Sequence, residues 1–161
     1  MFCKEFDIRW SDLDANRHLA NASYLNFMSH TRMAFLNTHG FSHKEMHKNN
    51  MGPVIFYEHV YYFKEAFPGK PIKVTLEIGG LSEDGMFFEF VHNMYDHKGN
   101  HLCHCEMLGA WINLETRELI GLPYNLLKVL DDLDHTSDFR ILTKEDTRMF
   151  GKKPVDLVLE K

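Results

Sequence analysis

The feature that most restricts the fold of this chain is a change of hydrophobic period part-way along it. From Ala22 to His39 the apolar side chains recur at helical spacing, with Tyr24, Leu25, Phe27, Met28, Met33, Phe35 and Leu36 covering a wide face. From residue 54 the pattern turns into long segments rich in Val, Ile, Phe and Tyr: Val54 to Phe67, Lys70 to Gly80, Met86 to Tyr95 and His101 to Asn113. Turn chemistry separates them at Pro68-Gly69, at Ser82 to Gly85 and at Asp96 to Asn100. One helix with so wide an apolar face has to be covered, and the sheet that follows is the available cover. The chain therefore reads as α+β, a long helix against one curved antiparallel meander.

The boundaries carry their own signals. Phe2 to Trp10 alternates loosely and reads as a first strand. Asn21 stands where an N-cap belongs and Gly40 where a C-terminal cap belongs. Ser42 with Glu45 three residues on is a capping-box spacing for a short second helix running to Asn50. Pro123 opens a further helix that runs to Leu133. Residues 134–161 are more polar and read as a tail, packed on the domain or on a neighbouring subunit, so the division is 1–133 and 134–161.

Composition limits the function. The 161 residues fit one domain, and a net charge of −5 argues against nucleic acid as a partner. No apolar run reaches the roughly 18–20 residues of a membrane span. The opening Met-Phe-Cys-Lys-Glu-Phe-Asp is too polar and acidic for a signal peptide, so the cytoplasm is the expected compartment. Three cysteines, Cys3, Cys103 and Cys105, make no disulfide framework. His101, Cys103 and Cys105 share a strand face, but the spacing lacks the usual Cys-x-x-Cys pair, and no metal is expected.

Between the first strand and the long helix lies Asp12-Leu-Asp14-Ala-Asn16-Arg-His18-Leu-Ala-Asn21-Ala-Ser-Tyr24. Two carboxylates, two carboxamides and an imidazole are gathered beside a helix N-terminus, whose free N–H groups and partial positive charge polarise a carbonyl. A carboxylate next to such a carbonyl attacks it or activates water, so the grouping points to acyl chemistry. The plainer roles stand alongside. Asp12 reads as structural or orienting, Asn16 as a turn former or a catalytic group, His18 as packed or catalytic, and Tyr24 as core or acyl contact.

Trp10-Ser-Asp12-Leu-Asp14-Ala-Asn16-Arg-His18-Leu-Ala-Asn21-Ala-Ser-Tyr24-Leu25 resembles the signature of hotdog-fold thioesterases of the 4-hydroxybenzoyl-CoA type. It is also similar to that of acyl-acyl-carrier-protein thioesterases. Arg17 stands where many members have Gly, and Ala20 where the first Asn of a pair is usual. The resemblance implies a hotdog fold, in which a curved sheet of about five strands wraps one central helix, and a homodimer or homotetramer. It implies an acyl-CoA or acyl-carrier-protein substrate and no cofactor. It makes Asp14 the catalytic carboxylate, with Asn16 and His18 assisting and Glu65 supplying the acidic residue found after the helix in the carrier-protein branch. The backbone N–H groups of Asn21 and Ala22 would polarise the thioester. Tyr24 would touch substrate, and Arg32, Lys64, Lys70 and Lys73 are the basic residues to test against coenzyme phosphates. A non-hydrolytic acyl-CoA or lipid-binding module is the alternative from a different class. A hydratase of acyl thioesters, which would carry a differently placed Asp-His pair, is a third.

Overall fold

A computed structural model describes residues 1–159; the last two residues of the expected tail, Glu160 and Lys161, lie outside the described residues. Strand β1 (Phe2–Phe6) leads through a 3-10 turn at Trp10–Asp12 into α1 (Asn21–Thr38). A short helix α2 (His43–Lys48) precedes strands β2 (Met51–Tyr62), β3 (Ile72–Leu81), β4 (Phe87–Tyr95) and β5 (His101–Asn113). Helix α3 (Tyr124–Asp131) and strand β6 (His135–Ile141) complete the chain, followed by a 3-10 turn at Lys144–Arg148.

Local chemistry explains several ends. Gly40 sits at φ +91°, and the Phe41 N–H donates to the Leu36 carbonyl at 2.9 Å, the closing bond of a glycine C-cap. The Ser42 hydroxyl accepts from the Glu45 N–H at 3.2 Å and starts α2 as its spacing indicated. At the start of α1 the expectation fails: the N-cap is Ala20, which has no side-chain cap, and Asn21 is the first helical residue. The Ala20 N–H is taken by the Asp12 carbonyl at 2.9 Å, and the Ser23 hydroxyl donates to the same oxygen at 3.0 Å. The loop itself holds the helix end and leaves the Asn21 side chain exposed.

The sheet is not a simple meander. Its order is β1-β3-β4-β5-β2, so β2 pairs antiparallel with β5 rather than with its sequence neighbour β3. One edge of β3 is shared: β1 pairs along Ile72 to Leu76 and β6 pairs in parallel along Ile78 to Leu81. The sheet thus has six strands, and β6 lies in the segment expected to be a tail packed on the domain or a neighbouring subunit. Arg140 of β6 anchors it through the buried Glu89 of β4 at 2.8 Å and through Asp146. Leu142 seals a small outer cluster with Phe87, Leu108 and Ala110.

The main core lies on the other face. α1 buries Tyr24, Phe27, Met28, Thr31, Phe35 and Leu36 against it, with Phe27 on Phe6 and Phe35 on Phe2 at ring separations of 4.9 and 5.4 Å. Gly109 in β5 is required by close approach, since a Cβ there would stand 2.6 Å from the Val54 carbonyl oxygen and 2.8 Å from the Phe88 ring.

Candidate active site

Asp12 builds the loop that leads to the site. It is 6% exposed and accepts from the Arg9 backbone N–H at 2.8 Å and from the Arg9 side chain at 3.1 and 3.2 Å. Burial pushes its carboxyl up, but the bonds from Arg9 outweigh this and hold it below the ordinary carboxylate range. Asp12 is a structural anion in this chain.

Asp14 closes the next turn. Its Oδ1 accepts from the Asn16 N–H at 2.8 Å, its carbonyl accepts from Arg17 at 3.0 Å and its N–H donates to the His18 carbonyl at 3.1 Å. This Asx turn carries Arg17 at φ +67°, a left-handed conformation that favours glycine. A position where similar sequences have Gly therefore has a physical reason, and Arg17 occupies it with strain. The second oxygen of Asp14 remains free of the turn and lies 3.7 Å from His18 Nδ1.

His18 bridges two carboxylates. Nδ1 lies 3.2 Å from the Leu19 carbonyl, and Nε2 lies 3.4 Å from Glu65 Oε1. Phe67 closes edge-on against the imidazole at 6.3 Å. The Leu19 N–H donates to the Ala66 carbonyl at 2.8 Å, which ties this loop to the segment following β2 and so brings Glu65 into range.

These groups line one open cavity of about 310 Å³, bounded by Asp14, His18, Asn21, Tyr24, Lys64 and Glu65 with Leu19, Tyr62 and Phe63. Tyr24 and Tyr62 meet edge to face at 5.1 Å on its inner wall. Burial, with a smaller contribution from Cys103, pushes the Tyr24 hydroxyl up to about 12, so it stays protonated. The N–H groups of Asn21 and Ala22 precede the first hydrogen bond of the turn, Ser23 N–H to the Ala20 carbonyl at 2.9 Å, and have no acceptor among the described residues. Asn21 lines the cavity; Ala22 is exposed beside it.

The other expected residues are placed differently. Asn16 is exposed and contributes its backbone N–H to the Asp14 turn. Lys70 lies in a neighbouring groove with Phe67, Asp96 and His97. Arg32 is not at the cavity: it is 8% exposed, two turns deeper along α1, and faces Glu58 at 3.7 Å and His92 at 3.3 Å. The guanidinium is held beside Glu58 and His92, apart from the groups that line the cavity. Tyr62 and Phe63 escaped the sequence reading, because aromatic residues at a strand end look the same whether they line a cavity or a core. Cys103 and Cys105 are buried, which pushes both thiols up to about 12 and keeps them unreactive. Among the described residues no His, Cys, Asp and Glu group is arranged to hold a metal ion, and no helix is long and apolar enough to cross a membrane.

The sequence profile of a thioesterase-like superfamily matches residues 8–134, most of the chain and all of the loop and cavity just described. The chain belongs to the thioesterase-like superfamily. Solved structures share its α+β fold. A protein of Staphylococcus aureus, solved in complex with CoA, superposes with a TM-score of 0.76 at 21% identity, covering 97% of this chain and 95% of that one. A 1,4-dihydroxy-2-naphthoyl-CoA thioesterase from Synechocystis gives 0.73 at 18% identity over 84% of this chain and 98% of its own. The probable thioesterase YbaW from Escherichia coli gives 0.71 at 20% identity over 83% and 98%. The six-stranded curved sheet agrees with the hotdog fold of this superfamily. No curated protein matches the chain.

Proposed function

We propose that this protein hydrolyses acyl thioesters, acyl-CoA or acyl groups on a carrier protein, to free acid and thiol. The observation that carries the reading is that Asp14, with Oδ2 free of its own turn, and Asn21, the first residue of α1 and one of two whose N–H has no acceptor, line one cavity. In this reading the thioester oxygen accepts from the Asn21 and Ala22 N–H groups, which stabilise the charge that develops on it. Asp14 then removes a proton from water as the water oxygen bonds to the acyl carbon, or attacks that carbon itself. Collapse of the tetrahedral species breaks the carbon–sulfur bond; on the water route the proton held by Asp14 passes to the leaving sulfur, and on the direct route water then hydrolyses the acyl–Asp14 anhydride, its hydroxyl going to the acid, its proton to the thiolate, and Asp14 is regenerated.

His18 and Glu65 hold the proton inventory beside Asp14, and Asn16 keeps the Asp14 side chain turned. Tyr24 bounds the acyl end, and Lys64 at the rim meets the anionic coenzyme or carrier arm, with Lys70 one groove further along the same path. Residues 1–133 form the hotdog domain with α1 as its central helix, and β6 extends the sheet of that domain. The free edge of β2 is the edge through which a homodimer, or a tetramer of such pairs, forms.

Thiol release followed with a thiol-reactive dye, over acetyl- to palmitoyl-CoA and benzoyl-type esters, tests the reading. Asp14→Asn is expected to lower kcat by about 10²–10⁴, the contribution of a general base, with thermal stability retained. Turnover by the variant at the wild-type rate would falsify the site. Saturable binding of an acyl-CoA by the wild type without thiol release would identify a binding module instead.

A further inference from the structure

The four most exposed aliphatic side chains among the described residues lie together near the C-terminus. Val155, Leu157, Val158 and Leu159 are 91%, 83%, 88% and 77% exposed. Only Asp156 interrupts them, and Pro154 with the Val and Leu residues favours an extended backbone. A tail meant to stay in water is built from polar and charged residues. A run of this composition gains by being covered.

Its own protomer does not cover it. Residues 151–159 are exposed throughout, and the one backbone bond they make among the described residues is Gly151 N–H to the Arg148 carbonyl at 2.8 Å. Where the run begins narrows what can cover it. The Phe150 ring closes on the outer face of β2, with its centre 4.3 Å from that of His59 and 5.6 Å from that of Tyr57. β2 ends the sheet, and its 12 residues have no strand along their outer edge. Tyr61 continues the same outer row and is 51% exposed. The segment therefore starts at the free edge, beside an aromatic row that the protomer leaves open.

A second copy supplies the missing cover. Pairing β2 edge to edge brings an identical aromatic row to the same side of the joined sheet, about 4.8 Å away. Extended, residues 151–159 reach about 30 Å, so they cross the seam with length to spare. Charge agrees as well. Lys152 and Lys153 lead the run, and the outer face next to His59 carries the half-buried carboxylate of Glu106 in β5.

Resting on the β2-edge pairing given above, and independent of the hydrolysis, we propose that residues 152–159 are an arm exchanged between two copies of this chain. Each arm crosses the seam and lays Val155, Leu157 and Leu159, which share one side of an extended backbone, on the outer face of the other copy's β2 and β5. Asp156 stays in water. The exchange is reciprocal, so one dimer covers two arms.

Sedimentation equilibrium on the full chain tests the energetics. Leu157→Asp combined with Leu159→Asp alters two side chains that lie in solvent in the protomer, so the fold is kept. The dimer dissociation constant is expected to rise about a hundredfold or more, with the Tm of the monomer unchanged. An unchanged constant overturns the arm and leaves the edge pairing standing. A wild type that stays monomeric at every concentration overturns both. Photo-cross-linking tests the location, with Leu157→p-benzoylphenylalanine in dimers equilibrated from light and heavy isotope-labelled chains. A link from one label to the peptide carrying Tyr57 and Tyr61 of the other is expected. Links confined to one label overturn the exchange, as does binding of the arm to phospholipid vesicles by a protein that stays monomeric. Thiol release reports separately on the hydrolase reading.

Discussion

His92 makes the stability of this protein fall in mild acid, and the size of the effect follows from its surroundings. The imidazole is fully buried in β4, with Nδ1–H committed to the Thr75 carbonyl at 2.7 Å and Nε2 facing the Arg32 guanidinium at 3.3 Å. Protonation at Nε2 would place an N–H against a cation in a dry site. Burial, reinforced by the Arg32 charge, lowers the pKa from 6.5 to about 3. The unfolded chain therefore binds this proton in a range where the folded chain does not. Stability from this group is complete above the unfolded value, and falls by about 1.4 kcal/mol per pH unit as the pH drops below 6.5 toward 3. At pH 5 the loss is about 2 kcal/mol, a sizeable share of the 5–15 kcal/mol that stabilises a domain of this kind.

Urea unfolding from pH 7.5 to pH 5 measures it, with wild type and His92→Gln compared. Glutamine keeps an acceptor for Arg32 and a donor for Thr75 but has no proton to gain. The wild type should lose about 2 kcal/mol more than the variant across that interval. Equal pH slopes in the two proteins would refute the reasoning, because His92 would then titrate alike in both states.

Further predictions concern the loop, the sheet and the proton inventory. Arg17→Gly relieves the left-handed backbone at φ +67° and should raise stability by about 1 kcal/mol in chemical unfolding, provided the Asp14 turn is retained. Gly109→Ala forces a Cβ to within 2.6 Å of the Val54 carbonyl oxygen and should cost about 1–3 kcal/mol, read as a lower Tm. Glu65→Gln removes the charge 3.4 Å from His18 Nε2 and should lower kcat by about tenfold in the thiol-release assay, less than Asp14→Asn does.

The local grammar of the chain was readable without the structure. The helical period of 22–39 became α1 at Asn21–Thr38, the Gly40 and Ser42 caps formed where their residue types placed them, and His101–Asn113 became β5 at those bounds. These features depend on side chains within a turn of one another, so nearby residues suffice to specify them. The gathering of Asp14, His18 and Asn21 was legible for the same reason, since all three lie in one short loop and helix end.

Strand order and the inner geometry were not readable in this way. Nothing local tells β2 to pass over β3 and pair with β5, or tells residues 135–141 to add to β3, because pairing is decided by partners far along the chain. The N-cap went to Ala20, whose N–H donates to the carbonyl of Asp12 eight residues earlier while the Ser23 hydroxyl donates to the same oxygen, so contacts from outside the helix fix where it starts. Arg32 shows the difference most clearly. Its sequence neighbours allow a solvated cation as readily as a buried one, and only the approach of β2 and β4 places Glu58 and His92 beside it. The sequence by itself determined the main helices and strands before residue 134 and the gathering of polar groups at the start of α1. The tertiary structure decided which distant groups face that gathering, because a side chain's charge and solvation are set by what packs against it.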